Sequence, residues 1–195
     1  RRLQWERTLY QFDELAKVPL RDNKEPVFVF VHFITHSPVV FQKNGSFLSD
    51  QASKVSEMGR ELYRDQLIFL NGKLEETVDI IVKNSPRPPV IVIQSDHGSR
   101  TVPDEDVSVG DDYSDDYLQD HLRNFSALYL PPLQGAPWRS ARELLWKDIT
   151  PVNTFRVIFN AYFGSTYSIL PDKSFITVPG RHYDLFDVTS RVIYK

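Results

Sequence analysis

The order of apolar and polar positions divides the chain into helical and strand-like stretches. Leu3, Trp5, Leu9, Phe12 and Leu15 recur at close to helical spacing and predict a short helix over residues 3 to 16. A charged linker over residues 20 to 26 ends in Pro26. Val27-Phe28-Val29-Phe30-Val31 follows with no polar alternation, the pattern of a buried strand. It delivers His32 and then Ile34-Thr35-His36-Ser37-Pro38. Residues 42 to 50 form a polar turn around Asn44-Gly45, and Ser49 or Asp50 caps a long helix reaching about residue 83. Leu67, Leu70, Leu74, Val78 and Ile81 step by three and four along it, a stripe that reads as core packing rather than a cofactor surface. Asn71-Gly72 marks a candidate kink or break.

Ser85-Pro86-Arg87-Pro88-Pro89 turns the chain into Val90 to Ile93, an unbroken β-branched run that reads as a strand buried on both faces. Strand, long helix and strand in that order predict a right-handed parallel crossover. From Asp104 to Asp120 there are eight acidic residues and no basic ones, read as a mobile, solvated loop, since the spacing matches no EF-hand. Phe125 to Leu130 predicts another strand, closed by Pro131-Pro132. Ser140 to Lys147 predicts a short helix, and Pro151 to Phe163 a second, capped by Thr150 and ended by Gly164. Short strands and loops complete the chain. The expected fold is α/β, with a mostly parallel central sheet and helices on both faces.

Composition narrows the function classes. The 195 residues suffice for one sizeable core and are read as a single domain over 1 to 195. With 41% hydrophobic and 25% charged residues the chain has the balance of a soluble globular protein. A net charge of −3 offers no basic surface, so nucleic-acid binding is set aside. The absence of cysteine removes disulfides and thiolate chemistry without fixing a compartment. No apolar run approaches membrane-spanning length, and Arg1-Arg2-Leu3-Gln4-Trp5-Glu6 is not a signal peptide. The start without Met gives the expectation of an excised or processed piece. Gly-x-Ser-x-Gly, Gly-x-x-x-x-Gly-Lys, Gly-x-Gly-x-x-Gly and His-Glu-x-x-His are all missing.

The candidate chemistry sits at predicted strand ends. Val90–Ile93 runs into Ser95-Asp96-His97-Gly98, and ligands of open α/β sheets bind outside the carboxyl ends of strands. Asp96 and His97 offer a carboxylate oxygen and an imidazole nitrogen to a divalent metal, although Asp-His-Gly is also ordinary turn material. His36 precedes Ser37-Pro38, which favours extended backbone and suits a ring that donates to an anionic ester oxygen. His32 reads equally as a site residue or a satisfied core histidine. Arg100, four residues after Asp96, reads as a phosphate or sulfate contact or as a solvated loop arginine. His121 and His182 read as surface residues.

Ser95-Asp96-His97-Gly98 after an apolar strand resembles the metal-binding signature of the alkaline phosphatase superfamily. The chain looks most like its sulfatase-like branch, which includes arylsulfatases and lipoteichoic-acid-synthase-type phosphoglycerol transferases. His36-Ser37-Pro38 resembles that branch's substrate-site His-x-Pro. Residues 124 to 131 (Asn-Phe-Ser-Ala-Leu-Tyr-Leu-Pro) and 150 to 156 (Thr-Pro-Val-Asn-Thr-Phe-Arg) resemble segments that follow the metal motif in bacterial members. The likeness runs over roughly residues 26 to 172. It implies a partial alkaline-phosphatase-like domain without the N-terminal part that carries the Thr, Ser or formylglycine nucleophile and an acidic ligand. A formylglycine made from Cys cannot arise within this chain.

The reading that follows is metal-dependent hydrolysis or transfer at phosphate or sulfate esters, with the chain inactive alone. Asp96 and His97 hold manganese, magnesium, calcium or zinc. His32, His36 and Arg100 meet the substrate, and His36 also protonates the leaving group. The resemblance implies an extracytoplasmic or periplasmic site, with membrane anchoring in the full-length protein. The rival reading is a degenerate family member acting as a binding or interaction module. A third reading, a metal-free hydrolase built on His97, predicts activity insensitive to chelators.

Overall fold

The computed structural model describes residues 1–22, 24–35, 39–48, 60–105, 107–133 and 136–192. The chain divides into two compact units, Arg1–Pro89 and Val90–Lys195.

In the first unit, helix α1 (Arg2–Lys17) and helix α2 (Arg60–Asn84) enclose a core of Phe12, Val40, Phe41 and Leu70. Trp5, Leu9, Phe33, Phe47, Phe69 and Leu74 pack around it. The periodicity of residues 3 to 16 becomes α1 as expected. α2 continues through Asn71-Gly72 without a break, while the caps expected at Ser49 or Asp50 lie outside the described residues. The buried face of α2 keeps part of the expected leucine stripe, with Leu70 buried and Leu74 packed on the core. Leu67 is exposed, and the inward positions include Gln66, Leu70 and Thr77. Gln66 is fully buried because it replaces missing backbone partners. Its Oε1 accepts from the Val40 and Phe41 amides at 2.8 and 3.1 Å, and its Nε2 donates to the Thr35 carbonyl. The expected polar turn forms at Gln42–Gly45, with Gly45 at φ 85° under the Phe69 ring.

The run Val27–Val31 corrects one expectation. It forms no strand, and Val27, Phe28, Val29 and Phe30 are 54, 86, 41 and 80% exposed. No described strand supplies a ladder to it. Nearby carbonyls are taken up by α1 side chains instead, with Gln11 donating to His32 at 3.2 Å and Gln4 donating to Ile34. Phe33 alone turns inward and stacks on Phe12 with ring centroids 4.4 Å apart.

In the second unit, strand β1 (Ile91–Gln94) pairs with β2 (Ser126–Tyr129), from Ile91 opposite Tyr129 to Gln94 opposite Ser126. The pairing is antiparallel, and so are β3 (Pro132–Leu133) with β4 (Ala136–Ser140) and β5 (Phe175–Val178) with β6 (Arg181–Asp187). All the described sheets are two-stranded. This overturns the parallel central sheet, the crossover and the alkaline-phosphatase-like architecture expected from sequence. The run at 90–93 becomes a strand over 91–94 that is half-buried rather than buried on both faces, and its partner is the strand expected over 125–130, to which the chain turns back past the acidic segment. That reversal takes an antiparallel ladder, whereas a parallel one needs a crossover.

The acidic segment is a second correction. It contains helix α3 (Asp115–Leu122), whose N-cap Ser114 accepts from the Tyr117 amide at 3.1 Å. Asp115 and Asp116 occupy its first turn, where the helix dipole favours negative charge. Tyr117 and Leu118 join Tyr113, Val178, Val188 and Val192 in the core of this unit. Ser140 to Lys147 holds only a single 3-10 turn, Ala141–Leu144. Helix α4 (Pro151–Tyr162) matches its expected bounds, and Gly164 at φ 67° ends it as Ser165 donates back to the Phe159 carbonyl. The expected Thr150 side-chain cap is not made. The Thr150 amide donates instead to Asp172, whose carboxylate also receives Trp146 Nε1 and Asn153 Nδ2. A final turn of helix, α5 (Thr189–Val192), docks through Arg191 on Asp115.

Candidate functional site

Ser95 closes β1 and is held from several sides. Its amide donates to the Phe125 carbonyl at 2.9 Å, its hydroxyl accepts from the Phe125 amide at 2.7 Å, and its carbonyl accepts from Asn124 at 3.0 Å. The next two side chains therefore leave a fixed strand end. Asp96 projects outward with its side chain 78% exposed, and His97 is mostly covered. His97 Nδ1 lies 2.7 Å from the Gly98 carbonyl, which can only accept, so Nδ1 carries the proton. The other ring nitrogen, Nε2, lies 3.8 Å from Asp96 Oδ1. An imidazole tied back through one nitrogen is the form in which histidine ligates metals. Two bonds of about 2.1 Å from one ion span roughly 3.0 to 3.4 Å, shorter than the 3.8 Å between His97 Nε2 and Asp96 Oδ1. A carboxylate oxygen and an imidazole nitrogen are donor types that divalent cations take. Among the described residues no cluster of three or more His, Asp or Glu side chains is placed to hold a metal.

The loop beyond is packed against the end of α3. The Gly98 amide donates to the His121 carbonyl at 2.8 Å, and a Cβ on Gly98 would lie 2.0 Å from the Asp120 carbonyl oxygen. Arg100 takes φ 51°, a left-handed conformation uncommon for a residue with a side chain, and is exposed. Asp120 accepts from Ser99 Oγ, from Thr101 Oγ1 at 2.8 Å and from the Val102 amide at 2.9 Å. Burial opposes its ionisation, but these donors and the nearby His121 outweigh that and hold its carboxyl below the usual value.

His121 is buried, against the surface position expected for it. Its ring stacks on Tyr117 at 3.8 Å, Nδ1 donates to the Tyr117 carbonyl at 3.1 Å, and Nε2 lies 3.7 Å from Asp104 Oδ1. Burial, helped by Tyr113 and Asp104, pushes the Tyr117 phenol up to about 12. His182 is exposed as expected.

Asp96, His97 and Arg100 share one loop of the second unit. His32 belongs to the first unit, where it is exposed, and His36 lies outside the described residues. Open surface depressions among the described residues include one lined by Val107, Ser108, Val178, Pro179 and Arg181, and another lined by residues of the 42–48 turn with Leu62 and Asp65. Asp96 and His97 line neither. Sequence reasoning missed Asp120 because the acidic run was read as a loop. Ser114 followed by Tyr117, Leu118, His121 and Leu122 is the signal that shows a capped helix with one apolar face. No described helix is long and apolar enough to cross a membrane. Comparison with family models, curated proteins and solved structures gives no match.

Proposed function

We propose that the Asp96–His97 loop forms part of a divalent-metal site serving hydrolysis or transfer at phosphate or sulfate esters. The observation that carries this reading is the His97 ring, tethered through Nδ1 to the Gly98 carbonyl, with Nε2 3.8 Å from the adjacent Asp96 carboxylate at the end of a strand. The substrate class comes from the resemblance to the sulfatase-like branch of the alkaline phosphatase superfamily. His97 Nε2 and Asp96 hold the ion, which when bound neutralises charge on the ester oxygens and lowers the pKa of a nucleophile. The Arg100 guanidinium, exposed on the same loop, offers paired donors to an anionic oxygen pair. Two protein ligands make a weak site, so the chain alone is inactive.

Calorimetric titration of the whole chain with manganese and with zinc, beside His97→Ala and Asp96→Asn, tests this. Binding that falls at least tenfold in either variant supports the pair. Wild-type and variant titrations that coincide return the loop to an ordinary turn. They would favour the second reading, an interaction module, which the exposed apolar run Val27–Phe30 supports.

A further inference from the structure

We propose that Asp120, on helix α3, is the positioning residue of the Asp96–His97 loop. It sets the loop's conformation and thereby its capacity for a metal, without ligating one itself. The proposal deepens the metal-site reading above and rests on it for its functional half.

The loop from Ser95 to Val102 has one firm end, where Ser95 continues the β1–β2 ladder. Beyond that point no strand or helix holds it. Asp120 supplies the second anchor, gathering Ser99 Oγ, Thr101 Oγ1 and the Val102 amide onto one carboxylate. The adjoining backbone adds contacts at the same place, with Gly98 N–H donating to the His121 carbonyl and Arg100 N–H approaching the Asp120 carbonyl at 3.5 Å. Gly98 permits this approach because it has no side chain to strike the Asp120 carbonyl. The left-handed backbone at Arg100 falls between Ser99 and Thr101, two of the residues that Asp120 grips. A strained residue persists where its surroundings over-determine it, and here the Asp120 carboxylate supplies the side-chain part of those surroundings.

The anchor itself is stiff. α3 is capped by Ser114, and Tyr117 and Leu118 fix it in the core of its unit. A connected path therefore runs from that core through Asp120 and its donors to the two residues that face the ion. The three donors also occupy the carboxylate, which is why Asp120 orients ligands rather than joining them. Groups that hydrogen-bond a ligand directly govern metal affinity by about 10–100-fold, and loss of the loop's second anchor is expected to act on the same scale.

The test uses the whole chain, isotopically labelled, with Asp120→Ala and the isosteric Asp120→Asn. Amide hydrogen exchange is followed at Gly98, Arg100 and Val102, with manganese titrated into each protein. In Asp120→Ala, exchange at those three amides should quicken at least tenfold while the β1 and α3 amides keep their protection. Manganese affinity should fall between ten- and a hundredfold, with Asp120→Asn intermediate. Unchanged exchange at Gly98 and Val102 overturns the proposal, and so does a loosened loop that binds manganese as tightly as before. Should Asp120→Ala lose protection everywhere, Asp120→Asn carries the same comparison. If the wild-type chain takes up no manganese, the metal reading fails separately and the exchange rates alone decide whether Asp120 positions the loop.

Discussion

Gly98 shows how little space a single position can leave. Its φ is not left-handed, so an alanine there faces no backbone penalty of that kind. What it meets is the Asp120 carbonyl oxygen at 2.0 Å, a backbone atom at the end of a packed helix that cannot swing aside. Gly98→Ala should cost about 1–3 kcal/mol, the usual range for overpacking, read as a lower urea midpoint. A midpoint within error of wild type would mean the loop can move away from α3 freely. Asp187 makes a different residue-scale prediction. Hydrogen bonding from Lys173 and Thr189 holds its carboxyl down to about 2. A depressed folded-state value means the contribution is complete above the unfolded value, near 3.8, and is lost as pH falls toward about 2. The urea-midpoint gap between wild type and Asp187→Ala should therefore be open at pH 5 and close as pH approaches 2. A gap that stays constant across that range rules out the linkage.

At the scale of elements, some helices were legible and strand pairings were not. α1 and α4 declare themselves because each carries its own period and its own stop, such as Gly164 after Tyr162. α3 was hidden by its charge. Eight acidic residues suggest self-repulsion, yet Asp115 and Asp116 sit at a favourable helix end, and Glu105 is drawn into hydrogen bonds with Ser114 that keep its carboxyl low. The site divided the same way. Asp96, His97 and Gly98 stand together in the chain and could be read together. Asp120 belongs to the loop only through folding, which no local pattern encodes. Strand partners are non-local for the same reason, so Ile91 opposite Tyr129 was beyond a periodicity argument.

Across the molecule, apolar sequence and buried position part company between the two ends of the first unit. Phe12 and Phe41 lie in its core, whereas Phe28 and Phe30 extend into solvent. A run read from sequence as a buried strand therefore adds little to the stability of the chain. Phe28→Ser combined with Phe30→Ser should shift the unfolding free energy by no more than about 0.5 kcal/mol per site while lowering binding of a hydrophobic dye. Phe12→Ala in the same assay should cost about 3–5 kcal/mol. Comparable losses from the two sets would place residues 28 and 30 in a core after all.

Gln66 reaches Thr35, Val40 and Phe41 through their main-chain atoms alone. Such a grip is blind to what side chains those three positions carry. Sequence drift on the held segment is tolerated by this clamp, while its single holder has almost no acceptable substitute, since few side chains present an acceptor and a donor at that reach. The burden of heritable constraint thus falls on a helix position remote in the chain from His36.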